Sequence, residues 1–218
     1  MRACAQTFES ELGVDALETL KVVLQKDLRE GLHVEIGTAA GGTLKELLRL
    51  YADESVKPNF LVIDPMTYFP EQLKIVKDNI STVSYPDERV EFVVSKGGEA
   101  FDKFRLGEVR PISFLLIDGS HKIKYVTQDA QWLDFVEIGG VVCFDDYQAG
   151  FQGVDWVVDQ VVHSSKCFER IAYAGRLLIL RKIADKQTPI VTRRHMIMAA
   201  LLHPLLQIVQ SLRKRLRN

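Results

Sequence analysis

Five short apolar runs, four of them carrying an acid at or near their carboxyl end, constrain this chain more than any other feature. They are His33-Val-Glu-Ile-Gly37, Phe60-Leu-Val-Ile-Asp64, Val90-Glu-Phe-Val-Val94, Ile112-Ser-Phe-Leu-Leu-Ile-Asp118 and Gly140-Val-Val-Cys-Phe-Asp145. Between them lie segments with helical spacing of apolar residues, over 43–51, 71–80, 98–105 and 123–136. Near-continuous apolar strands alternating with helices predict an α/β fold with a doubly wound, mostly parallel sheet covered on both faces. Right-handed crossovers put the carboxyl ends of all such strands on one edge. Ligands of open α/β sheets bind on that edge, so the acids of strands one, two, four and five converge on one cleft.

The remaining segments frame this unit. A helix over 11–28, with Leu12, Ala16, Leu17, Leu20, Val23 and Leu24 on one face and Gly31 as its stop, precedes the first strand. After a helix over 154–163, the runs 168–173 and 176–182 flank Ala174-Gly175 and predict a hairpin. The organisation expected is an N-terminal helical segment (1–30), one α/β domain (31–186) and a basic amphipathic tail (187–218). A length of 218 residues suits one such domain with an appendage.

Net charge is −1, so no global field favours nucleic acid, and no nucleic-acid partner is expected. The balance is uneven: between Gln187 and Asn218 there are six Lys or Arg and no Asp or Glu, which leaves residues 1–186 with a net −7. The tail reads as helix from Arg193 to Arg217, interrupted at Pro204. It is expected to pack or to form a homodimer contact, with peripheral contact to an anionic membrane, or a lid over the acceptor, as the competing readings. Cys4, Cys143 and Cys167 are scattered, without a C-x-x-C pair. That argues against a disulfide framework or zinc site and predicts a cytoplasmic protein, with Cys143 in the core. No apolar run reaches membrane-spanning length.

The first strand runs into Glu35-Ile-Gly37-Thr38-Ala39-Ala-Gly41-Gly42-Thr43 and a helix. Gly37 permits a sharp turn, and Gly41 and Gly42 allow a ligand close to the backbone. Ala39 stands where the G-x-G-x-x-G fingerprint of dinucleotide oxidoreductases needs its second glycine, so that class is disfavoured. A tight turn without a ligand is the competing reading of the glycines alone. Asp64, at the end of strand two, favours a bound cofactor, because an acid there is placed to accept ribose hydroxyls.

The spacing resembles the acid-x-Gly-x-x-x-Gly signature of class I S-adenosylmethionine-dependent methyltransferases, whose seven-stranded sheet ends in an antiparallel hairpin. In the second half, Asp118-Gly-Ser-His121, Asp129, Trp132, Gly139-Gly140 and Asp145-Asp146-Tyr147 resemble the branch of metal-dependent sugar O-methyltransferases. The resemblance spans about Glu35 to about Val158. It implies S-adenosylmethionine bound by Glu35, Gly37, Thr38, Ala39, Gly41, Gly42, Thr43, Asp64 and Asp118, with Ser95 and Lys96 beside the adenine. It also implies Mg²⁺ or another divalent cation on Asp118, Asp145 and Asp146, and His121 as general base with Asp118 in the catalytic centre. The acceptor would be a small-molecule hydroxyl on a sugar or polyol.

The chemistry fits these residue types. A hydroxyl is a poor nucleophile near neutral pH, and carboxylate-held Mg²⁺ lowers its pKa while a neutral imidazole takes the proton. Two adjacent strand residues point to opposite faces, so Asp145 and Asp146 can meet one ion only if the chain turns there. Alternatives stay open: the Asp145-Asp146 pair could cap a helix, Asp118 could serve the cofactor alone, and His121 could be a surface cap. Asp129 and Trp132 read as structural. Metal-dependent catechol O-methylation and a non-catalytic cofactor-binding module are the rival functions; an iron hydroxylase lacks its ligand triad here.

Overall fold

A computed structural model describes residues 9–107 and 110–217. Within them one seven-stranded sheet has the order β3-β2-β1-β4-β5-β7-β6. The strands are β1 (Leu32–Ile36), β2 (Asn59–Asp64), β3 (Val90–Val94), β4 (Ile112–Ile117), β5 (Val136–Phe144), β6 (Phe168–Ala174) and β7 (Leu177–Lys182). β1 to β5 pair in parallel, and β7 runs antiparallel between β5 and β6. Strand order reverses between β1 and β4, so the crevice expected of a doubly wound sheet opens at their carboxyl ends.

Both faces of the sheet are buried, which is why β4 is apolar but for Ser113 and why β1 encloses even its two polar residues, His33 and Glu35. On one face α1 (Val14–Gln25), α2 (Gly42–Ala52) and α3 (Gln72–Ile80) pack Leu20, Leu44, Leu47 and Val76 against Phe60, Val62, Phe114 and Leu116. On the other, α4 (Gly97–Phe104), α5 (Ile123–Asp129) and the helix from α6 (Gln152–Val157) through a π segment (Val158–Val162) to α7 (His163–Ser165) cover Val34, Ile36, Leu115 and Ile117. His33, an unexpected polar residue on the α1–α3 face among Tyr51, Phe60 and Phe114, is held by Ser113 and Tyr51 at 3.1 and 2.9 Å. Desolvation pushes its imidazole down to about 3, so it is a neutral core residue.

Three stretches differ from the pattern read in the sequence. The helix expected over 123–136 is α-helical only to Asp129 and continues as a 3₁₀ stretch, Ala130–Phe135. Strand β5 then begins at Val136 rather than Gly140, because buried Val136 pairs with Ile112 across a bulge that Gly139, at φ 85°, makes possible. The C-terminal helix α8 (Arg193–Arg217) passes through Pro204 without a break. Proline there withholds one hydrogen bond from the carbonyl of Ala200, an exposed residue whose carbonyl water can satisfy. Cys143 is fully buried in the sheet, as expected, and Cys4 lies outside the described residues.

Trp132 is fully buried and donates its indole N–H to the carbonyl of Gly97 at 3.0 Å, with Phe101 and Phe104 packed on its ring. The bond ties the 3₁₀ stretch before β5 to the start of α4. Replacing Trp132 by Phe removes that bond and opens a void, and is expected to lower unfolding free energy by about 1–3 kcal/mol in urea titrations.

Candidate active site

The carboxyl ends of β1, β2 and β4 surround a cavity of about 490 Å³. Its floor is the turn after β1. Gly37, at φ 88°, lies so close to the Asp118 backbone that any Cβ would overlap the Asp118 carbonyl. Asp118 N–H bonds to Ile36 O and Gly37 N–H to Ile63 O, both at 2.9 Å. The three strand ends are thereby fixed to one another. Gly42 is equally constrained, since a Cβ would collide with the carbonyl of Glu9 from the segment laid across the turn. Ser10 fastens that segment to Thr43, hydroxyl to hydroxyl, at 2.7 Å.

Of the cofactor residues predicted, Glu35, Gly37, Thr38, Ala39, Gly42, Thr43, Asp64, Lys96 and Asp118 line the cavity. Gly41 and Ser95 do not. Gly41 sits behind the turn in the left-handed conformation that starts α2, and the exposed Ser95 hydroxyl bonds to Glu99. Asp64 also organises the site: it accepts the N–H of Thr38 at 3.0 Å and of Met66 at 2.6 Å, and the Gln72 amide at 3.3 Å. Ala39 takes φ 44°, a strained region for a residue with a side chain, and Gln72 holds its carbonyl.

Glu35 is buried and accepts the Thr38 hydroxyl at 2.9 Å. Desolvation pushes its carboxyl up to about 8, against the relief of that bond and with the added repulsion of Asp64. Asp118 is also raised well above the ordinary range, by desolvation first and then by Asp145 and Glu35. The chain turns at Asp146, at φ 60°, immediately past β5. That is the bend needed for Asp145 and Asp146 to face one place, and both lie against the Arg176 guanidinium, at 3.6 and 2.8 Å. The Arg176 group is off the hydrogen-bonding direction of Asp146 Oδ1, so that oxygen and Asp145 Oδ1 are buried without a hydrogen bond.

His121 lines the same cavity, with its ring 4.3 Å from that of Phe151 and its Nδ1 3.1 Å from Asp146 Oδ2. Desolvation lowers its pKa, Asp146 opposes and Arg176 adds to the lowering, so the ring is neutral near pH 7. A neutral ring that donates Nδ1–H to Asp146 has its Nε2 lone pair free to take a proton.

Three contributors escaped the sequence reading: Arg176, the Glu9–Glu11 segment and one face of α5. Arg176 lies in the β6–β7 turn, far in sequence from the acids it pairs with. The Glu9–Glu11 segment has no motif. Tyr125, Gln128 and Asp129 line the cavity from one face of α5. Their i, i+3, i+4 spacing was the available signal, and Asp129, read above as structural, has a place in the site. Burial pushes its carboxyl up to about 7.

The reversed parallel sheet, the antiparallel hairpin and the glycine-floored cavity define a class I methyltransferase fold. Residues 34–147 match the family model described as a methyltransferase domain, and the chain belongs to that family. Solved structures agree on the fold. CalS11, a TDP-rhamnose 3′-O-methyltransferase of calicheamicin biosynthesis, superposes with a TM-score of 0.63 at 14% identity, covering 76% of this chain and 77% of CalS11. TomG of Streptomyces achromogenes, an O-methyltransferase of tomaymycin synthesis in complex with SAM, gives 0.57 at 17% identity over 80% and 83%. The O-methyltransferase NovP gives 0.58 at 17% over 84% of each chain. No curated protein sequence matches.

Glu35 makes one contribution to the pH dependence of stability, with Asp129 acting in the same direction and His33 in the opposite one. The folded pKa of Glu35, about 8, lies above the ordinary 4.5, so between those values the folded chain holds a proton that the unfolded chain lacks. Its contribution is complete below the unfolded pKa and is lost as pH rises through the folded one, at up to about 1.4 kcal/mol per pH unit. In thermal unfolding of the ligand-free protein, the stability of the parent relative to Glu35→Gln is expected to fall from pH 5 to pH 8.

Proposed function

We propose that the chain transfers the methyl group of S-adenosylmethionine to a hydroxyl of a sugar or related small molecule. The observation that carries this reading is His121: a neutral imidazole on the wall of the cofactor-type cavity, backed by the buried Asp146 carboxylate. CalS11, a TDP-rhamnose 3′-O-methyltransferase of the same fold, supports a sugar acceptor. Cys143 and Cys167 are free and buried, and we place the reaction in the cytoplasm.

In this reading the glycine floor admits the cofactor against the β1 turn, Asp64 accepts the ribose hydroxyls, and Lys96 with the α5 face borders the adenine. The acceptor hydroxyl stands beside His121 Nε2, in line with the sulfonium methyl. A new C–O bond forms as the C–S bond breaks, S-adenosylhomocysteine leaves, and the hydroxyl proton passes to His121. Asp146 accepts from Nδ1 and stabilises the imidazolium that results. Glu9–Glu11 across the turn helps keep water from the sulfonium.

Asp118, Asp145 and Asp146 would supply the oxygen donors of a divalent-cation site, and the buried Asp145 Oδ1, which makes no hydrogen bond, favours one. Among the described residues, however, no three His, Cys, Asp or Glu side chains already form a metal-holding group. Arg176, with a side chain 43% exposed, supplies the positive charge and has to move aside for a cation. When bound, Mg²⁺ supplies charge stabilisation for a developing alkoxide.

His121→Ala is expected to lower kcat with a sugar acceptor by about 10²–10⁴-fold while leaving S-adenosylhomocysteine affinity by calorimetry within a small factor. Retention of full activity removes His121 from the mechanism. Failure of the wild-type protein to bind S-adenosylhomocysteine overturns the functional reading itself. Chelation by EDTA is expected to reduce turnover, with recovery on adding Mg²⁺; undiminished turnover assigns the charge role to Arg176.

A further inference from the structure

Helix α8 has two unlike sides. Its inner side packs on α5: Met196 reaches the core, Ala199 is buried, and the His203 ring lies 6.1 Å from that of Tyr125. Its outer side leaves Ile197, Leu201, Leu205 and Ile208 between 51% and 68% exposed. Their spacing of four, four and three places them in one stripe about 16 Å long. Scattered apolar side chains are ordinary on a protein surface, but an unbroken stripe on one helix face marks a contact.

Charge selects the partner. The stripe belongs to the segment with six Lys or Arg and no Asp or Glu, attached to a body of net −7. A second copy docking by two-fold symmetry would set this cationic helix beside its own image, like charge against like. An anionic lipid surface offers hydrocarbon for the stripe and counter-charge for the cations. No described helix is long and apolar enough to cross a membrane, so the geometry is that of a helix lying in the surface plane.

We propose that α8 docks this protein on anionic membrane surfaces. Only α5 separates the docking helix from the cavity, since Tyr125 borders both. Docking therefore brings the methyl-transfer site close to acceptors held at the bilayer.

The test is co-sedimentation of the full chain with vesicles of phosphatidylcholine and phosphatidylglycerol, compared with phosphatidylcholine alone. Binding is expected to require phosphatidylglycerol, to weaken with added salt, and to fall on the order of tenfold or more in Leu201→Glu/Leu205→Glu. Both positions are exposed, so circular dichroism and the unfolding midpoint of the variant are expected to match the parent. Absence of binding to phosphatidylglycerol vesicles overturns the proposal, as does equal binding by the variant. A stable dimer in sedimentation velocity that the variant dissociates, without vesicle binding by either, assigns the stripe to a second copy instead.

Discussion

The backbone contact between Gly37 and Asp118 is the point on which the rest of the site depends. Without a Cβ, residue 37 lets the end of β1 lie directly on the end of β4, and the hydrogen bonds Asp118 N–H to Ile36 O and Gly37 N–H to Ile63 O complete the junction. That junction stands where strand order reverses, the one place where an open sheet leaves a crevice. Everything placed at the three strand ends, including Glu35, Asp64 and Asp118, then faces one volume.

Burying so many carboxyls together sets an electrostatic problem that shapes the second half of the site. Glu35, Asp145 and Asp146 are buried and Asp118 is half-buried beside them, and the only cation ion-paired with them among the described residues is Arg176. Full ionisation of such a group is too costly, so Glu35 and Asp118 are driven toward their neutral forms. Asp146, facing both Arg176 and His121, is the acid best placed to act as a charge. The division of labour among four similar side chains is thus one of environment, not of residue type.

Much of this was legible in the chain. The apolar runs showed a buried parallel sheet because a strand covered on both faces cannot alternate polar and apolar residues. Acids at the ends of β1, β2 and β4 share the cleft because crossover handedness puts those ends together, whereas Asp145, after β5, lies in a small pocket beside it. The Gly37–Gly42 turn and Asp64 fall on the cavity, and the bend required at Asp145-Asp146 is present. Asp129 escaped because helical spacing alone does not reveal which face of α5 meets a ligand. The start of β5 at Val136 escaped because pairing with Ile112 overrides a local pattern that reads as helix.

The sequence by itself determined the sheet, its order of elements, the glycine turn and the acids around it, since each follows from local periodicity, turn chemistry or chain handedness. Only the tertiary structure decided that Arg176 answers the Asp145-Asp146 pair, that the Glu9–Glu11 segment crosses the turn, and that α8 runs unbroken with an uncovered apolar stripe. Those are relations between residues distant along the chain, or between one helix face and its surroundings. No spacing rule encodes them, because they depend on which surfaces the folded sheet brings together and which it leaves bare.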